Sequence, residues 1–139
     1  MAFAGYNSIA IILAAVAGFM VGAVWYGALG RQWMAALGKT ESDLRGEGGP
    51  SPIPFVISFV SLLVMAFVLA GIIGHLGQGQ VTLRNGLISA LLCWLGFVIT
   101  TMATNHAFQR SRSALTLIDG LHWLLVLLVQ GAVIGWMGV

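Results

Sequence analysis

Charge is scarce in this chain: Lys, Arg, Asp and Glu make up 7% of its 139 residues, against about a quarter in an average soluble domain. So few charges cannot cover a water-facing surface, which excludes an ordinary soluble globular protein. Cysteine is reduced to one residue, Cys93, so no intramolecular disulfide can form. A lone cysteine in an apolar run reads as a small hydrophobe. Neither a CxxC nor an HxxxH spacing occurs, and His75 falls at the opposite membrane face from His106, so no metal site and no cofactor are expected. With four acidic residues and no GxSxG, P-loop or dinucleotide fingerprint, no nucleophile–base constellation can be assembled with any specificity, and an enzyme is not expected; the one enzymatic alternative is an intramembrane hydrolase using an acid and a histidine.

What the chain has in abundance is apolar sequence, 59% of its residues. It is gathered into four runs, Ser8 to Gly30, Ile53 to Gly74, Asn85 to Thr104 and Ala114 to Met137, each close to the ~20 residues that cross a bilayer. In hydrocarbon every backbone N–H and C=O must be paired internally, and runs this long and continuous achieve that as helices rather than as barrel strands. The expected fold is therefore all-α: one membrane domain over 1–139, an integral four-helix bundle with lipid as its main partner and a polar loop over 31–51. Ala15-Val16-Ala17 resembles a signal-peptidase site. No lysine or arginine precedes it and the apolar run continues through Gly18-Phe19-Met20-Val21, which fits a retained span better.

Orientation follows from lysine and arginine alone. Five of the six, namely Arg31, Lys39, Arg45, Arg110 and Arg112, fall in the first and third loops, and only Arg84 lies on the other side. The expectation is a multi-pass protein of the cell (inner) membrane with both termini non-cytoplasmic. The net charge of +2 then reflects orientation and gives no case for nucleic-acid binding.

Along the chain, Ala10, Ala14, Gly18 and Gly22 are four apart and share one face of the first span, which lets another backbone approach closely. Two uses are open, packing within the bundle or a seam to a second copy or another membrane protein. Trp25-Tyr26 and Trp33 read as an aromatic belt at the headgroups. In the polar loop, Thr40 and Asp43 have capping-box spacing and predict a short surface helix. Ser51-Pro52 reads as an N-cap followed by proline at the first helical position. Ser58 and Ser61 read as packing residues, and Gly77-Gln78-Gly79-Gln80 as a turn.

The polar residues within the runs form the candidate site. Thr101 and Asn105 are four apart near the end of the third span and so face the same way, with His106 beside them. In the fourth span Asp119, His122 and Gln130 lie on one helical face. A short third loop makes these two spans neighbours, so Asn105, His106, Asp119, His122 and Thr101 form one candidate polar cluster. An acid in lipid must be neutral, paired or wetted and is a functional candidate by default. Beside an imidazole it can pass a proton or hold a cation. The structural alternative places Asp119 only about five residues, roughly 7–8 Å, inside the span, clamped by Arg110 or Arg112 and complementing the helix dipole.

Trp25-Tyr26, Gly30-Arg31-Gln32-Trp33-Met34, Asn105-His106-Ala107-Phe108-Gln109-Arg110 and Leu117-Ile118-Asp119-Gly120-Leu121-His122 together resemble the family called domain of unknown function 1761, over nearly the whole chain. The connection after Trp25-Tyr26 is shorter here than in the family's form, and a phenylalanine before the glycine is missing. The resemblance implies a small protein with four membrane spans and carries no activity. Two functions remain as expectations: small-solute or proton/cation transport through an oligomer at the Asp119–His122 cluster, or a non-catalytic accessory protein docking through the small face of the first span.

Overall fold

Asn7 opens the first long helix, α1 (Ser8–Leu37), by accepting the Ala10 N–H on its carboxamide oxygen at 3.1 Å, and Gly38 ends it at φ 72°, where a side chain would be strained. The computed structural model describes residues 2–139, all-helical in its regular structure. At about 1.5 Å per residue α1 is roughly 45 Å long, more than the ~30 Å of a hydrocarbon core. Its last turns, from Arg31 onward, therefore reach past the hydrophobic thickness. A five-residue helix, α2 (Glu41–Arg45), comes next with the full capping box: Thr40 Oγ1 accepts from the Asp43 N–H at 3.2 Å, and an Asp43 carboxylate oxygen accepts from the Thr40 N–H at 2.8 Å. The Thr40 backbone N–H, then its hydroxyl, and Lys39 more weakly, hold Asp43 below the usual carboxylate range. The Arg45–Glu41 ion pair, at 2.7 Å, is exposed and contributes little.

The second span, α3 (Ile53–Gly74), has the bounds of the apolar run, but its N-cap is one residue later than the Ser51 expected from the sequence. Pro52 occupies the N-cap position, Pro54 sits in the first turn, and Ser51 Oγ still accepts the Ile53 N–H at 3.2 Å. The third span runs Leu83–Phe108 as α4 (Leu83–Cys93), a π-helical segment over Trp94–Val98, and α5 (Ile99–Phe108). The fourth is α6 (Ser113–Met137). Among the described residues, four helices are thus long and apolar enough to cross a membrane. Their outward faces, with Val24, Phe55, Phe97 and Trp136 exposed, suit lipid.

α6 is the hub, with α1 packed along one side, α4 along the other and α3 behind. The tightest seam is α4 against α6. A Cβ on Gly86 would stand 2.0 Å from the Gly131 carbonyl oxygen, one on Gly131 2.3 Å from that of Gly86, and one on Gly135 2.1 Å from that of Thr82. Only glycine fits. On the α1 side, Ala10 and Ala14 are fully buried, a Cβ at Gly18 would lie 3.1 Å from Leu62 and 3.3 Å from Gln130, and one at Gly22 would lie 3.2 Å from His122. The small face of the first span is therefore occupied inside the bundle. Docking of a second copy or another membrane protein through Gly18 and Gly22, one of the two uses read from the sequence, finds that face covered by α3 and α6.

The ends of the chain meet at one end of the bundle, where Asn7 Nδ2 donates to the Gly138 carbonyl at 3.0 Å and the Ala4 N–H to that of Gly74 at 3.0 Å. Tyr6 stacks on Phe67, and Phe3 covers Gly74.

Gly86→Leu or Gly131→Leu should destabilise the bundle by about 3 kcal/mol or more, since backbone rather than a movable side chain blocks the new atoms. Gly30→Ala, with open space around it, should be neutral or slightly stabilising. Unfolding titrations in detergent, followed by tryptophan fluorescence, compare the three; equal losses would refute the glycine seam. For α2, the Asp43 contribution is present above the carboxylate's unfolded pKa and is lost as pH falls through its lowered folded value.

Candidate functional site

Asp119 lies six residues into α6, about 9 Å along the axis, and its partner comes from α1. The Tyr26 hydroxyl donates to an Asp119 carboxylate oxygen at 2.6 Å. Tyr26 continues the four-residue spacing of Gly18 and Gly22, so the face that brings α1 close to α6 also delivers the phenol. The carbonyls on either side of Asp119 each accept an indole. Trp25 Nε1 donates to Ile118 at 3.1 Å from α1, and Trp94 Nε1 to Gly120 at 2.8 Å from the π-helical segment. Gly120 also faces Ile99, whose side chain a Cβ would meet at 2.7 Å. Asp119 is thereby held in register from both neighbouring helices.

One turn deeper, His122 is 7% exposed. Its ring lies 4.9 Å from that of Tyr26 and 4.6 Å from that of Trp123, and the absent side chain of Gly22 makes room for it. Its Nδ1 is buried and has no hydrogen-bond partner among the described residues. His75 shows the usual local solution, Nδ1 against the carbonyl one turn back, Gly71, at 2.7 Å. The corresponding carbonyl for His122, that of Ile118, already serves Trp25. Two turns further on, Gln130 is completely buried and donates Nε2–H to the Leu62 carbonyl of α3 at 3.0 Å, while its Oε1 has no partner. Val126, also fully buried, separates Gln130 from His122.

The cluster read from the sequence is thus only partly assembled. Asp119 and His122 share one site, with Tyr26 between them. His106 meets α6 one turn before Asp119, its Nδ1 2.7 Å from Thr116 Oγ1, and does not bond to the acid itself. Asn105 and Thr101 stand on an exposed face of α5, and Thr101 Oγ1 donates back to the Phe97 and Val98 carbonyls at 2.8 and 2.9 Å. The π-helical segment accounts for this: bonding one residue further along the chain adds a residue to the turn and rotates the turns of α5 away from α-helical phase. Nor is Asp119 clamped by an arginine, as the sequence alternative expected. The partner is a phenol, and Arg112 donates instead to the Ala35 carbonyl at the end of α1. Ala14, Gly18 and Gly22 lie along α1 on the side that meets α3 and α6.

Tyr26, Trp25 and Trp94 are the contributors that sequence reading missed, since an aromatic at a span end satisfies a headgroup belt equally well. The available signal was the spacing of Tyr26 from Gly22. Among the described residues, no three of the histidines, the cysteine and the acids come together as a metal-ligand set.

These features define a multi-pass, all-helical membrane protein of four spans with a part-buried acid–phenol–imidazole site between its first and last helices, in which only the imidazole is buried. Its family follows from a match of residues 9–135 to the family model described as protein of unknown function (DUF1761): the chain belongs to that family. Comparisons with curated proteins and with solved structures give no match.

Tyr26→Phe should lower stability by about 1 kcal/mol, the scale of one hydrogen bond between membrane helices. Gln130→Leu should be within about 0.5 kcal/mol of neutral, because it removes a half-satisfied amide along with its one bond. Reversible unfolding in bicelles measures both. A silent Tyr26→Phe beside a costly Gln130→Leu would reverse the assignment of the structural polar contact.

Proposed function

We propose that the protein binds and releases protons at the Asp119–Tyr26–His122 site as part of a transport activity carried out by an oligomer, and that it is not an enzyme. The observation that supports this reading is the buried, unpartnered Nδ1 of His122 on a ring lying against Tyr26, whose hydroxyl is bonded to Asp119. A carboxylate, a phenol and an imidazole in sequence are groups that exchange protons, and intramembrane ionisable residues of this kind commonly belong to proton relays. A proton also needs no room. Gly22, Tyr26 and Trp123 fill the space around His122, which disfavours a solvated solute at this point. The bias of lysine and arginine toward the first and third loops supports an orientation in the cell (inner) membrane with both termini outside the cytoplasm.

A second reading, an accessory protein bound to another membrane protein, is favoured by the third span. Only 11% of the residues in its most apolar stretch are buried, against 39% in that of α6, so it offers a large free helical face now that the small face of α1 is occupied.

The test is proton flux into proteoliposomes under an imposed potential, read with an entrapped pH-sensitive dye. Asp119→Asn should reduce flux roughly a hundredfold, the scale of losing a positioned proton-transfer group, while the helical circular dichroism stays unchanged. Tyr26→Phe should give an intermediate rate. Equal flux in wild type, Asp119→Asn and empty liposomes would eliminate the transport reading in favour of the accessory one.

A further inference from the structure

At the end of the bundle that carries Arg110 and Arg112, α5 and α6 part to leave an open groove of about 380 Å³. Its deeper wall is apolar, with Ile99, Ala103 and Leu117, whereas His106, Ser111 and Thr116 line it close to the helix ends. A groove graded in this way matches an amphiphile lying along the membrane normal. Its charge surroundings select the sign. Arg110 and Arg112 flank Ser111 in the chain, at the rim of the groove and not among its lining residues, and no acidic side chain lines it either. Asp119, the closest acid in sequence, is turned toward Tyr26 on the α1 side of α6. Arg112 uses one guanidinium N–H on the Ala35 carbonyl; since a guanidinium has five N–H donors, the others stay available to an anion. Arg110 reverses the chain at φ 55° and is exposed.

We propose that the groove between α5 and α6 binds one anionic phospholipid, with its phosphate among Ser111, Thr116, His106 and the two arginines and an acyl chain along Ile99, Ala103 and Leu117. Basic pockets between membrane helices bind anionic headgroups. A zwitterionic lipid would use the apolar wall but gain less from Arg110 and Arg112. The site is separate from Asp119 and His122 and does not depend on what they do.

Native mass spectrometry of the full chain in uncharged detergent, titrated with phosphatidylglycerol and with phosphatidylcholine, tests it together with the thermal midpoint from tryptophan fluorescence. Phosphatidylglycerol should remain bound at one per chain and raise the midpoint. Arg110→Gln with Arg112→Gln should weaken it about thirtyfold, about fivefold per charge removed. Ala103→Phe, which fills the groove and keeps both charges, should weaken it as well, and it decides the matter should the arginine variant not fold. Arg31→Gln with Arg45→Gln should bind as wild type does. Equal binding of the two lipids, or full binding by Ala103→Phe, would overturn the proposal. So would an equal rise in midpoint with inorganic phosphate alone, which would make this an ion site without a lipid.

Discussion

The close approach of neighbouring backbones to α6 is the constraint on which the other contacts depend. Lipid tails are as apolar as leucine, so helices in a bilayer gain little by hiding apolar side chains from them; van der Waals contact and hydrogen bonding hold them together instead. Both require short distances, and here those distances exist because side chains are missing. Gly86, Gly131 and Gly135 let α4 lie against α6 with carbonyls in the space of absent Cβ atoms. Gly18 and Gly22 do the same for α1 less severely, meeting side chains that can shift by a few tenths of an ångström. The difference matters mechanically. The α4–α6 seam is backbone on backbone and cannot yield, whereas the α1–α6 contact has some compliance.

Hydrogen bonds then fix rotation and register on surfaces that glycine has brought together. The two indoles from opposite sides of α6 bond to the carbonyls flanking Asp119, which aims the carboxylate at Tyr26 rather than at the membrane edge. Gln130 does a similar service toward α3. Together these polar contacts join α6 to α1, to the π-helical segment and to α3, so the same helix carries the packing seams and the polar groups. The site is therefore not an addition to a finished bundle: removing Tyr26 or Trp25 changes the α1–α6 contact as well as the surroundings of the acid.

Much of this was legible in the sequence wherever one physical cause dominated. Length and apolarity of the four runs left helices as the solution for the backbone in lipid, and the Thr40–Asp43 spacing specified a cap that the backbone adopts in full. The pairing of Asp119 with His122 followed from helical phase along one uninterrupted helix. Phase failed in the third span, because nothing in Trp94-Leu95-Gly96-Phe97-Val98 announces a π turn, and one additional residue there carries Thr101 and Asn105 away from α6. Partner choice failed for a different reason. Adjacency in the chain favoured the end of the third span and its arginines, but α1, distant in sequence, has the small residues that permit closer contact. The Gly86–Gly131 seam was equally hidden, since each helix contributes only part of the pattern and it has meaning only when the two are paired.

The position of the polar groups along α6 limits what the proposed proton site can accomplish within one chain. Asp119 and His122 stand about 9 and 13–14 Å from the start of α6 and Gln130 about 25 Å, at about 1.5 Å per residue, so the Asp119–His122 pair and Gln130 divide the helix into rough thirds. Val126, with no exposed surface, fills the interval between His122 and Gln130, and a hydrocarbon side chain relays nothing. A proton arriving at His122 from the Asp119 side thus reaches a dead end in this conformation. Passage would need either a second copy beside it or a movement that carries His122 past Val126. The compliant α1–α6 contact at Gly18 and Gly22 is where such a movement costs least, because α4 is locked to α6 by backbone and must travel with it. A transport cycle built on this site would therefore move α1 against an α4–α6 pair, with the Tyr26–Asp119 bond as the contact that breaks and reforms.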